Sequence, residues 1–163
     1  VLCEEPKNYD ARAEIMWAGS LSHNGLTGCG NDRGGDWSSH ALEHELSGMF
    51  DVAHGAGLAA IWGSWARYVC RNNIARFAQL ARNVYRVEEA SDEKACELAI
   101  VKSEEFFKRI GMPISLTELM GRAPSEEELV ALSENCSFGK KRNIGAFMML
   151  NYEDMYNIYK AAI

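Results

Sequence analysis

Apolar residues recur every three or four positions along almost the whole chain, which is the spacing of one helix face. No stretch of strand length alternates β-branched with polar residues, as a half-buried strand would. The sequence therefore predicts an all-α fold, a helical bundle. Its 163 residues, 47% of them hydrophobic, are enough for one packed core, so we predict a single helical domain over residues 1–163.

Capping residues and breakers divide this pattern into helices. The segments expected to be helical are residues 8–26, 36–48, 54–72, 73–85, 91–111, 125–136 and 151–163, with a short turn at 115–119 and a glycine-rich loop at 27–36. We expect Asp36 to cap the second helix, and Ser47 and Gly48 to end or kink it. In the first helix, Ile15 and Met16 lie on the side that we expect to be buried.

The amino-acid composition excludes some classes of function and cellular location. A net charge of −6 argues against nucleic acid as a partner, because phosphate binding depends on lysine and arginine. Five cysteines, an odd number without metal or disulfide spacing, indicate reduced thiols. No apolar run approaches the ~20 residues of a membrane span. We therefore predict a cytoplasmic protein without membrane segments. Because Val1 stands where an initiator methionine would, we also expect a piece of a longer protein.

The candidate chemistry lies in residues 36–57, which hold three of the four histidines. His40 and His44 are four residues apart, so on a helix both rings lie on one face, within reach of a single ion. Glu43 and Glu45 flank them but are expected to project to other faces. The alternative is an ordinary polar helix face.

His54 strengthens the metal interpretation. It stands at the expected start of the next helix, where the positive end of the dipole favours the neutral imidazole that a cation needs. Two or three imidazole nitrogens suit Zn²⁺ or Fe²⁺ rather than Mg²⁺ or Ca²⁺. His23 is a further candidate, with hydrogen bonding to neighbouring loop backbone as its alternative. The residues alone leave the ligand set incomplete.

The stretch HALEHELSGMFDVAHGAGLAAIW, residues 40–62, resembles the signature of the iron-containing (group III) alcohol dehydrogenases. Residues 9–30, YDARAEIMWAGSLSHNGLTGCG, together with GDW at 35–37, resemble its butanol dehydrogenase branch. The similarity is dense from Asn8 to Tyr85 and looser to the end of the chain. GDWSSH and LEHELS favour this branch over a zinc-dependent glycerol dehydrogenase, which remains an alternative, as does a non-catalytic helical metal-binding module.

The resemblance implies a two-domain enzyme, of which this chain is most of the C-terminal helical domain. The missing N-terminal domain would bind NAD(P)H and lie upstream with two further metal ligands. By resemblance, His40 and His54 bind the metal, Fe²⁺ or Zn²⁺. His44 is then the catalytic and cofactor-binding residue, next to the nicotinamide and able to relay a proton.

The implied substrates are short-chain alcohols and aldehydes. Trp37, Phe50 and Trp62 are candidates for the wall of the substrate channel, although Phe50 and Trp62 are also typical core residues. We expect this piece to be inactive alone and, with its partner domain absent, to form homo-oligomers through exposed apolar surface.

Overall fold

The computed structural model describes residues 1–30 and 34–163. The rest of the predicted glycine-rich loop, residues 31–33, lies outside the described residues. The described residues form helices and turns, and their only β-type pairing is an isolated antiparallel bridge between Ile144 and Leu150. The all-α prediction is confirmed. The described residues form two compact units, Val1–Gly35 and Asp36–Ile163. This division does not test whether the chain is one domain, which stays a prediction.

The first unit consists of helix α1, Tyr9–His23, and a 3-10 turn, Leu26–Gly28. Asn8 caps α1 by accepting a hydrogen bond from the backbone N–H of Ala11. The expectation that Ile15 and Met16 are buried is wrong, because their exposed fractions are 63% and 73%. The unit contains a single long helix, so it provides no second layer against which that face could pack.

The second unit contains seven α-helices in the described part of the chain. They are α2 (Ser38–Phe50), α3 (His54–Val69), α4 (Ile74–Asn83), α5 (Asp92–Arg109), α6 (Leu116–Met120), α7 (Glu126–Cys136) and α8 (Tyr152–Ala161). A 3-10 turn, Cys70–Asn72, follows α3. Helix α3 contacts α2, α5, α6 and α8, which makes it the central element of the unit.

Polar caps begin most of these helices. The side chains of Asn73, Ser91, Ser115, Ser125 and Asn151 each accept a backbone N–H in the following turn, and Ser125 and Asn151 form capping boxes. Helix α2 differs from its prediction. Trp37 occupies the N-cap position, while Asp36, one residue earlier, accepts the N–H of Ser38.

The expectation that Ser47 and Gly48 end α2 is also wrong, because the helix continues to Phe50. A glycine inside a helix costs only about 1 kcal/mol, which the packing of neighbouring residues offsets. Leu46 is fully buried, and Met49 and Phe50 pack against the core. The next residue, Asp51, is the C-cap, and its left-handed backbone, with a φ of 52°, turns the chain towards α3.

The main core lies between α2, α3, α7 and α8. Its fully buried large side chains include Leu42, Leu46, Ile61, Leu129, Leu132, Met155, Ile158 and Tyr159. A smaller cluster of alanines, Ala78, Ala81, Ala95 and Ala99, lies between α4 and α5 and lets these two helices approach closely. The core therefore supports α2 and α3, the two helices that carry the candidate histidines of this unit.

Candidate functional site

Helix α2 is held on its core side by packing and by two long-range hydrogen bonds. Leu42 and Leu46, one turn apart, are fully buried. The hydroxyl of Tyr159, on α8, donates to the carbonyl oxygen of Leu42 at 2.7 Å. The indole N–H of Trp65, on α3, donates to Ser38 Oγ at 2.7 Å. These contacts fix the rotation of α2 and therefore the direction of its polar face.

Asp36 joins the start of α2 to a turn near the end of the chain. Its Oδ1 accepts from the N–H and the hydroxyl of Ser38, and its Oδ2 accepts the N–H groups of Ala146 and Phe147, both at 2.7 Å. Burial alone raises the pKa of this carboxyl. The hydrogen bonds from Ser38, Phe147 and Ala146 outweigh burial, so the pKa of Asp36 lies below its ordinary value.

The three histidines of residues 36–57 meet where α2 and α3 join. The ring centroids of His40 and His54 are 5.5 Å apart, those of His44 and His54 are 5.6 Å apart, and those of His40 and His44 are 6.4 Å apart. His54 is the first residue of α3, as predicted. His40 is half-buried, whereas His44 and His54 are exposed. The turn of residues 51–53 therefore brings imidazoles from two helices to one place.

Glu43 belongs to this site, and the expectation that it projects to another face is wrong. Its side chain is fully buried, and its carboxylate contacts Nδ1 of His54 and the hydroxyl of Ser47. Glu43, His44 and His54 each offer a ligand atom within 4.8 Å of the others, so these three residues could also hold an ion. The sequence contains a signal for this position: Glu43 lies three residues after His40, so the two residues share one helix face.

The aromatic candidates divide into two groups. Trp37 is 61% exposed, and its ring centroid lies 5.0 Å from that of His40, so it borders the histidine site. Phe50 and Trp62 pack against the main core, and the Trp62 ring centroid lies 5.8 Å from that of Phe107. Their positions support the alternative, a core role.

His23 lies in the first unit and is exposed, with its Nδ1 2.9 Å from Ser22 Oγ. The GCG sequence at residues 28–30 begins with the last residue of a 3-10 turn, and among the described residues no strand precedes it as one precedes a dinucleotide-binding glycine turn.

All five cysteines are free thiols. Burial raises the pKa of Cys136 to about 11 and, with a hydrogen bond to Cys70, that of Cys96 to about 12. Neither buried thiol is a ready thiolate ligand at neutral pH.

Among the described residues, no helix has the length and apolar character that crossing a membrane requires.

Comparison with known proteins matches the whole chain, residues 1–163, to the C-terminal part of the Fe-containing alcohol dehydrogenase family. NADH-dependent butanol dehydrogenase A of Clostridium acetobutylicum is 35% identical over 162 residues, which cover 98% of this chain and 40% of that protein. NADPH-dependent aldehyde reductase YqhD of Escherichia coli is 35% identical over 115 residues, 71% of this chain and 29% of that protein.

The fold agrees with a solved relative. The crystal structure of NADH-dependent butanol dehydrogenase A from Thermotoga maritima superposes with a TM-score of 0.88 at 34% identity, and the match covers 99% of this chain and 41% of that chain. The helical domain expected from the resemblance is therefore confirmed. The chain spans about 40% of the length of these two butanol dehydrogenases.

Proposed function

The chain belongs to the iron-containing alcohol dehydrogenase family, and from this premise we propose that it is the C-terminal part of an NAD(P)H-dependent cytoplasmic enzyme. The proposed reaction interconverts short-chain primary alcohols and aldehydes, as the names of its relatives suggest. The observation that carries the proposal is the convergence of His40, His44 and His54 at the α2–α3 junction. The proposal includes an N-terminal dinucleotide-binding domain, homo-oligomer formation and inactivity of this piece alone.

The donor set fits a divalent transition metal. Two imidazoles that share a tetrahedral ion through bonds of about 2.1 Å have ring centroids roughly 5 Å apart. The His40–His54 separation of 5.5 Å is close to that value. Nitrogen ligands favour Fe²⁺ or Zn²⁺ over the oxygen-seeking Mg²⁺ and Ca²⁺. We assign His40 and His54 as the ligands from this chain, with the remaining ligands supplied from outside it.

A divalent ion at this site would supply Lewis-acid polarisation of the substrate oxygen. The protein residues have separate tasks. His40 and His54 would hold the ion at the helix junction. His44 is exposed beside them, so a ring nitrogen can exchange a proton with the substrate oxygen, directly or through water. Trp37 is placed to exclude water from one side. The nicotinamide, held by the N-terminal domain, would exchange the hydride.

A second ligand assignment is favoured by one observation, the close approach of Glu43, His44 and His54. In that arrangement His44 is a ligand rather than a proton carrier. A zinc-dependent glycerol dehydrogenase would keep the His40 and His54 assignment but accept a different substrate. A non-catalytic metal-binding module would retain metal without turnover.

The test uses the full-length protein encoded by the complete reading frame. Metal content is measured by elemental analysis, which also identifies iron or zinc, and NADH and NADPH oxidation is followed with butanal. We expect His40→Ala and His54→Ala to lose both metal and turnover. His44→Gln should keep the metal and lose turnover by about 10²–10⁴-fold, the usual contribution of proton transfer.

Each alternative gives a different result. Loss of metal in His44→Gln, with metal retained in His40→Ala, would replace our assignment with the Glu43, His44 and His54 set. Faster turnover of glycerol than of butanol would indicate the glycerol-type enzyme. A wild-type protein that retains metal but oxidises neither cofactor with any short aldehyde would contradict the dehydrogenase proposal.

A further inference from the structure

We propose that Glu43 is a positioning residue of this site: its buried carboxylate fixes the ring orientation and the tautomer of His54 without binding the ion itself. The inference rests on the proposed function, because it assumes that His54 is a metal ligand. Glu43 has no role in the dehydrogenase assignment, which uses only the three histidines.

The Glu43 side chain lies in a closed space where both carboxylate oxygens have partners. The side chain has no exposed surface, although it carries a carboxylate. One oxygen, Oε2, contacts Nδ1 of His54, and the other, Oε1, accepts from the hydroxyl of Ser47. Gly57, one turn into α3, leaves the space: a β-carbon there would lie 2.8 Å from Glu43 Cγ and 2.5 Å from Oε1. Both oxygens are thus already engaged within the protein.

The carboxylate determines which nitrogen of His54 is free. A carboxylate can only accept hydrogen bonds, so the imidazole must carry its proton on Nδ1 to bond with Glu43. In the neutral ring, Nε2 then carries the lone pair and is not the nitrogen that contacts the buried carboxylate. His54 has a side chain that is 51% exposed, so this nitrogen is accessible. The same arrangement, a carboxylate behind a histidine, orients metal-binding histidines in general.

Direct binding of an ion by Glu43 fits the contacts less well. A cation on either oxygen would have to enter a fully buried space in which Oε2 already contacts His54 and Oε1 already accepts from the Ser47 hydroxyl. An ion bound by Nε2 of His54 needs no such entry.

The experiment compares three variants of the full-length protein. Glu43→Gln keeps an oxygen that can accept the Nδ1 proton. Glu43→Met has a similar length but no acceptor. Glu45→Gln is the matched control, because Glu45 is a carboxylate on the same helix that makes no contact with His54 in the structure. Metal retention is measured by competition with a chelator, using Fe²⁺ and Zn²⁺ separately. The tautomer of His54 is read by nitrogen NMR of isotope-labelled histidine in metal-free protein.

The expected result has two parts. Wild-type protein and Glu43→Gln show the Nδ1–H tautomer of His54 and hold metal within a few-fold of each other. Glu43→Met binds metal about 10–100-fold more weakly, the usual loss when the partner of a ligand histidine is removed, and its His54 no longer prefers one tautomer. Glu45→Gln matches the wild type in both measurements.

Several results would overturn the proposal. An Nε2–H tautomer in the wild type would contradict the hydrogen bond itself. Equal, large metal loss in Glu43→Gln and Glu43→Met would identify Glu43 as a charged ligand. Unchanged metal binding in a folded Glu43→Met would remove any role. If Glu43→Met does not fold, the wild-type tautomer and Glu43→Gln still decide the question.

Failure of the proposed function gives a separate signature. A wild-type protein that binds neither Fe²⁺ nor Zn²⁺ would contradict the metal assignment of His54. The tautomer measurement is made without metal, so it would still show whether Glu43 orients the His54 ring.

Discussion

Replacing Asp36 with alanine tests how the start of α2, and with it His40, is held in place. The Asp36 carboxylate connects α2 to residues 146–147, which are more than a hundred positions later in the chain. Asp36→Ala removes every one of these bonds at once. Asp36→Asn keeps the shape but places an N–H₂ group against backbone N–H donors.

The magnitude follows from the environment of each bond. Hydrogen bonds to a charged group contribute about 1.5–3 kcal/mol each, so the three backbone bonds of Asp36 would sum to roughly 4.5–9 kcal/mol. That sum is too large, because Asp36 is only half-buried and Ala146 is exposed, so water replaces part of what is lost. We expect Asp36→Ala to lower the free energy of unfolding by about 2–3 kcal/mol at neutral pH. Asp36→Asn should lose a similar amount.

The effect depends on pH in a defined direction. The folded-state pKa of Asp36 is lowered, so its stabilisation is fully present above the unfolded-state value of about 3.9 and disappears as the pH falls through the folded-state value. The difference between wild type and Asp36→Ala should therefore be constant from pH 7 to pH 5. It should narrow only in more acidic solution.

Urea unfolding of the 163-residue chain, followed by circular dichroism, measures the difference. Glu97→Gln, which removes one exposed carboxylate from α5, is the control and should change stability by less than about 0.5 kcal/mol. An Asp36→Ala variant as stable as this control would refute the argument. So would an NMR titration that placed the pKa of Asp36 above that of an aspartate in an unfolded peptide.

Three further substitutions test the packing around the site. Gly145→Ala places a β-carbon against the carbonyl oxygen of Met148 at a φ of 93°, so we expect the free energy of unfolding to fall by about 2 kcal/mol or more, with a clear fall in the melting temperature. Ser125→Ala removes the capping box of α7 and should cost about 0.5–2 kcal/mol in a urea titration. Tyr159→Phe leaves the carbonyl of Leu42 without its side-chain donor; a loss of about 1–3 kcal/mol is expected, and no change in unfolding midpoint would contradict the anchoring of α2.

The helices were predictable because their signals are local. Ser91 and Ser125 stand before periodic apolar segments, and the structure places both at N-caps. The end of α2 was not predictable in this way. Gly48 is a local breaker, but the burial of Leu46 and the packing of Phe50 depend on α7, α8 and the rest of the core, which no short window contains. Tertiary packing outweighed a local preference of about 1 kcal/mol.

The candidate site was predictable in part, because some of its signals are also local. The spacing of His40 and His44 places both rings on one face, and the residues around His54 placed it at the start of the next helix. Their meeting depends on the turn at Asp51, whose left-handed backbone no residue pattern specifies uniquely. Glu43 was missed by comparing it with its neighbour His44. Counted from His40, the residues Glu43, His44 and Ser47 lie at i+3, i+4 and i+7, which are positions of one helix face.

The burial of Glu43 needs an explanation that folding alone does not provide. Removing a carboxylate from water costs several kcal/mol, and replacing buried charged groups by apolar residues is often neutral or stabilising. Glu43→Met would leave little unsatisfied, since His54 can reach water and the Ser47 hydroxyl lies 3.2 Å from the carbonyl oxygen of Val52. If Glu43 were retained for stability, its replacement would lower the free energy of unfolding. If Glu43→Met instead unfolds at the same urea concentration as the wild type or a higher one, the carboxylate is there for His54 rather than for the fold.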